Sequence, residues 1–78
     1  MKDNKYLIMI RDKLIFTKKM IRINQSVGVS SSIEDEVYKK IPAFLKKIKH
    51  NLSSDLSSNS DDYKLYMECK ELISYWTF

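Results

Sequence analysis

The chain alternates long amphipathic stretches with two polar ones. Asn24-Gln25-Ser26-Val27-Gly28-Val29-Ser30-Ser31-Ser32 holds the only glycine and a serine run, and Ser53-Ser54-Asp55-Leu56-Ser57-Ser58-Asn59-Ser60 is the second. Both are rich in side chains that bond to nearby backbone and favour turns and helix caps. They leave three segments, each about one helix long. In the middle one, Ile33, Val37, Tyr38, Ile41, Phe44, Leu45, Ile48 and Leu52 fall within one arc of about 140° at helical spacing. Lys39, Lys40, Lys46, Lys47 and Lys49 lie outside that arc. Ser31 or Ser32 is the expected N-cap, with Glu34 or Asp35 three residues on to close a capping box. Pro42 projects to the polar side, so a single bent helix is expected, with two short helices broken near Lys40 as the alternative.

In the last segment Leu65, Tyr66, Cys69, Leu72, Ile73 and Trp76 share an arc of about 120°, with Ser60 or Asp61 as the expected N-cap. The first segment has two solutions. Leu7, Ile10, Leu14 and Ile21 form a helical stripe with Met9, Phe16, Met20 and Ile23 beside it, while Ile8 and Ile15 fall on the charged side. Its isoleucine content also allows a strand meander of 6–10, 14–18 and 20–24. That meander would need tight turns at Arg11-Asp12-Lys13 and Lys18-Lys19 without Gly, Asn or Pro, so a helix is preferred. The expected fold is therefore all-α, a small three- to four-helix bundle in one domain spanning 1–78. An N-terminal β-meander followed by two helices is the alternative.

Composition narrows the class. With 78 residues, one Gly, one Pro and 44% hydrophobic residues, the chain reads as neither low-complexity nor disordered. One Cys and one His are too few for an internal disulfide or a structural zinc site. No apolar run approaches a membrane span, and Arg11, Asp12 and Lys13 interrupt the first apolar stretch too early for a signal peptide. A cytoplasmic protein without cofactor or metal is expected. The net charge of +4 hides a gradient: seven bases against two acids over 1–23, five against three over 24–52, two against five over 53–78. A basic front and an acidic back can steer a partner or attract each other within the fold.

Candidate chemistry is sparse. Glu34, Asp35 and Glu36 are consecutive, so on a helix they diverge by about 100° and do not converge on one atom. As first-turn acids they have a structural explanation, as do Asp61 and Asp62. Cys69 lies on the apolar stripe, where a thiol acts as a small hydrophobe. His50 stands at a helix end, where it can serve terminal carbonyls. No enzyme is expected.

For nucleic acid, Gly28-Val29-Ser30 has the look of a helix-turn-helix corner. However, Asn24 stands where a small residue belongs, Glu34 where an apolar one belongs, and the would-be recognition helix opens on acids. The lysines of the middle segment lack interleaved aromatics. Nucleic acid is thus the lesser reading, and membrane contact is peripheral at most.

Protein contact accounts for more. Tyr63, Met67, Tyr75 and Phe78 lie off the main stripe of the last segment, and such side chains anchor interfaces. Lys46, Lys47 and Lys49 would steer an acidic partner. Met9, Phe16, Met20 and Ile23 would stay partly uncovered, so a homodimer or heteromeric contact through the first segment is expected. Otherwise the 27–32 connection must fold back over them.

The stretch from Val37 to Trp76, with Tyr38-Lys39-Lys40-Ile41, Leu45, Ile48, Leu52, a polar loop and then Leu65-Tyr66, resembles the C-terminal half of small immunity proteins against peptide bacteriocins of Gram-positive bacteria. The resemblance implies a cytoplasmic helical bundle that protects its producer by binding a bacteriocin–receptor complex, with specificity residues in the C-terminal half. An inhibitor of a host protein encoded by a phage or plasmid would share this composition.

Overall fold

The computed structural model describes residues 5–53 and 59–74. They form three helices, α1 Lys5–Ser26, α2 Ser32–Ser53 and α3 Asn59–Leu72, and no strand occurs among them. The fold is all-α, and the β-meander alternative is corrected: the first segment is one helix of 22 residues. Leu7, Ile10, Leu14, Thr17 and Ile21 recur every three or four residues and are all buried. A helix puts that whole stripe against the core and satisfies its own backbone, whereas the meander had no residues suited to its turns.

The corner after α1 is closed by two linked caps. Gly28 adopts a positive φ of 77°; its N–H donates to the Gln25 carbonyl (3.2 Å), and the Val29 N–H donates to the Asn24 carbonyl (2.9 Å). This pairing is the Schellman arrangement, which favours glycine because only glycine enters the left-handed region without steric cost. On the other side Ser31 caps α2, as expected. The Glu34 N–H donates to Ser31 Oγ (3.2 Å), and the Ser31 N–H donates back to Glu34 Oε2 (3.1 Å), a reciprocal capping box. The two caps are tied together by Asn24 Nδ2 donating to Glu34 Oε1 (3.3 Å) and Gln25 Nε2 donating to Asp35 Oδ1 (2.9 Å).

From this corner α1 and α2 run side by side in opposite directions. Asn24 meets Glu34, Lys18 lies over the Tyr38 ring, and Arg11 and Ile15 share a cleft with Leu45 and Lys49. This is an antiparallel hairpin rather than the steep crossing of a helix-turn-helix. Helix α2 continues through Pro42, which is exposed. There water can serve the carbonyl that the missing N–H would have bonded. Helix α3 returns along both: Asn51 Nδ2 donates to Asp62 Oδ1 (3.1 Å), and Tyr6 packs on Tyr63 and Tyr66.

The shared core joins the α1 stripe to Val37, Ile41 and Ile48 of α2 and to Leu65, Cys69 and Ile73 at the α3 end. Two expectations are corrected. Ile33, assigned to the α2 apolar arc, is 56% exposed, while its neighbour Glu34 is 8% exposed; the capping box and Asn24 draw the carboxylate inward. Ser60 and Asp61, expected at the N-cap, both lie inside α3, which begins at Asn59. Asp62 is a first-turn acid of α3, as expected, and it is also fully buried as an acceptor for Asn51.

Thr17 is the polar residue out of place in this stripe: it is 2% exposed and its hydroxyl has no hydrogen-bond partner. An unpaired buried hydroxyl costs roughly 1–3 kcal/mol. Thr17→Val keeps the shape and removes the hydroxyl, so it should stabilise the chain by about 1 kcal/mol. Denaturant unfolding checks this; a destabilised Thr17→Val would mean that the hydroxyl is engaged.

Candidate protein-interaction surface

On the outer side of α1, away from the core stripe, Met9, Phe16, Met20 and Ile23 are 46%, 57%, 37% and 47% exposed. All four sites named for the first segment thus lie open and on one face. Helical spacing sets them within an arc of about 60°, centred about 130° from the centre of the buried stripe. The 27–32 connection does not fold back over them. Val27 and Val29 are themselves exposed, because the two caps turn the chain directly from α1 into α2. Ile8 and Ile15 are exposed on the far side of α1, as their charged surroundings in the helical projection indicate.

The second group of sites is divided. Tyr63 and Met67 are exposed on α3; Tyr75 and Phe78 lie outside the described residues. Tyr63 has a structural role as well. Its ring centroid is 6.4 Å from Tyr6 and 6.2 Å from Tyr66, and Tyr6 and Tyr66 are 5.6 Å apart, edge to face. This triad pins the start of α3 to the start of α1, and aromatic pairs of this kind contribute about 0.5–1.5 kcal/mol beyond burial. Sequence spacing pointed to Tyr63 but not to Tyr6, whose role depends on two helices meeting.

Lys46, Lys47 and Lys49 belong to one turn of α2 yet serve different sides. Lys47 Nζ stands 5.4 Å from the centre of the Phe44 ring, Lys49 borders the cleft towards α1, and Lys46 is exposed between those directions. The three lysines thus point to different sides of α2.

Of the remaining chemical groups, the thiol belongs to the core. Cys69 is fully buried, and burial, with Glu68 adding to it and Lys47 opposing, pushes its thiol from 9.0 up to about 11. A thiol held so far into the neutral form is a poor nucleophile. His50 is exposed in the last turn of α2; the carbonyl of His50 accepts from Ser53 Oγ at 3.1 Å. Between α1 and α2, an apolar cleft of about 490 Å³ is lined by Ile15, Leu45 and Leu52, with Arg11 and Lys49 at its sides. No group of three metal-ligating side chains occurs among the described residues, and none of their helices is long and apolar enough to cross a membrane.

In comparisons with known proteins, the chain matches no family model, no curated protein sequence and no solved structure.

Proposed function

We propose that this chain is a non-enzymatic, cytoplasmic binding protein, a three-helix bundle that acts by contact with another protein through the outer face of α1. The observation that carries this is the file of half-exposed apolar side chains from Met9 to Ile23 on a helix whose opposite face already fills the core. One aromatic and three long aliphatic side chains in a row leave a patch on the order of a few hundred Å², the size at which an apolar area on a monomer marks a contact site. A bacteriocin-immunity-like inhibitor is the most concrete form of this function, supported by the short, basic, helical character of the chain.

A photo-crosslinking amino acid placed at position 16, with a control at exposed position 36 on α2, tests the proposal in living cells. A single protein adduct from position 16 that is absent from position 36 is expected, with its identity read by mass spectrometry. Equal or no labelling from the two positions would overturn it.

A further inference from the structure

The exposed file on α1 has a finer order than an apolar patch. Met9, Lys13, Phe16, Met20, Ile23 and Val27 follow one another at steps of four, three, four, three and four, the heptad spacing of a coiled-coil seam. Val27 lies just past the helix but keeps its frame, since its N–H donates to the Ile23 carbonyl at 3.2 Å. At about 1.5 Å per residue the seam is about 27 Å long. It is also narrow. Lys5, Asp12 and Lys19 stand directly alongside it, and Lys13 interrupts it. A bilayer favours a broad apolar face, whereas a two-residue-per-heptad stripe is the width one opposing helix covers.

Charge selects the occupant. Helix α1 carries six basic residues and one acid, Asp12, whose Oδ1 lies 3.6 Å from Arg11 Nε. On the α3 side, Lys70 Nζ stands 6.0 Å from the centre of the Tyr66 ring. Arg11 and Lys18 face α2, but packing α1 against α1 of a second copy would still bring Lys5, Lys13 and Lys19 of two seams together, at a cost that like charges across an interface impose. A helix with acids flanking its apolar seam instead meets Lys5, Lys13 and Lys19, with Asp12 the one like charge beside it.

We infer that the α1 seam docks one amphipathic helix of a partner protein whose apolar positions are flanked by Asp and Glu. This rests on the proposed function and names the chemistry of its partner. Phe16 and Met20 are the central knobs, and Lys13 is the polar position that sets the register within the seam. Lys5 and Lys19 provide attraction along one edge.

The test uses the full chain with two synthetic helical peptides of about three heptads. Both carry Leu at the seam positions; one has Glu and the other Lys at the flanking positions. Fluorescence anisotropy should show binding of the Glu peptide, weakened about tenfold or more between low and high salt, and at least about tenfold weaker binding of the Lys peptide. Phe16→Glu should abolish binding while leaving the circular-dichroism melt unchanged, since Phe16 is 57% exposed. Equal binding of both peptides, no binding, or binding indifferent to Phe16→Glu would overturn the inference. So would adsorption to phosphatidylglycerol vesicles in preference to the Glu peptide, or a dimer in sedimentation that Phe16→Glu dissolves. A crosslinked partner at position 16 that lacks an acidic helix would sink this inference while leaving the proposed function standing.

Discussion

Truncating Leu14 to alanine is expected to remove about 3 kcal/mol of stability, within the range of roughly 2–5 kcal/mol for a buried Leu→Ala change. Leu14 is fully buried and sits mid-helix in α1, which packs on both other helices, so no single helix can shift to fill the space. A chain of 78 residues has a total stability of roughly 4–12 kcal/mol, so this one change takes a large share. The melting temperature should fall by roughly 12–24 °C. Phe16→Ala, only two residues away, should change stability by about 0.5 kcal/mol or less, because more than half of that larger side chain is already in water. Thermal melts of the two variants side by side check the assignment of faces. Equal losses would mean that Phe16 is core and that α1 has no free face.

That pair of residues also shows how far the fold is legible in the sequence. Leu7, Ile10, Leu14 and Ile21 mark the core face by spacing alone, and the same projection sets Met9, Phe16, Met20 and Ile23 outside it. The Ser31–Glu34 capping box was equally readable, because both partners lie within four residues of each other. What was not legible depends on contacts between helices. Ile33 is apolar and in register, yet it stays outside because the caps turn its neighbour Glu34 inward to meet Asn24. Asp62 is buried because α2 presents Asn51 to it, and no periodicity encodes that pairing. Thr17 falls on the core stripe, but a rule that counts only apolar residues passes over it.

The candidate surface divides in the same way. Exposure of the α1 residues followed from the helical projection. The different directions of Lys46, Lys47 and Lys49 did not, because adjacency in sequence says little about direction around a helix. Tyr63 was read as a surface anchor, and it is also one of three rings holding α3 to α1. Tyr63→Ala is therefore expected to affect folding as well as contact, which makes it a poorer probe of binding than Phe16.

Raising the pH from 9 to 11 should destabilise the chain through Cys69 by about 2 kcal/mol. In the folded protein burial holds the thiol proton up to about 11, against 9.0 for the unperturbed group. Below pH 9 both states carry the proton and the contribution to stability is complete. Between the two values the unfolded chain has released it and the folded chain has not, so the unfolded state binds fewer protons and stability falls as pH rises. Above about pH 11 the folded state ionises too, and the loss levels off. Tyrosines and lysines also titrate in this range, so the comparison is with Cys69→Ala, in which their contribution remains and that of the thiol is gone. Urea unfolding of both chains at pH 8, 9, 10 and 11 should show the wild type losing stability more steeply than the variant, with the difference opening above pH 9. A thiol-specific disulfide reagent should react with Cys69 only at the rate of unfolding. Parallel pH profiles for the two chains, or fast labelling of the folded protein, would place the thiol in water and remove it from the core.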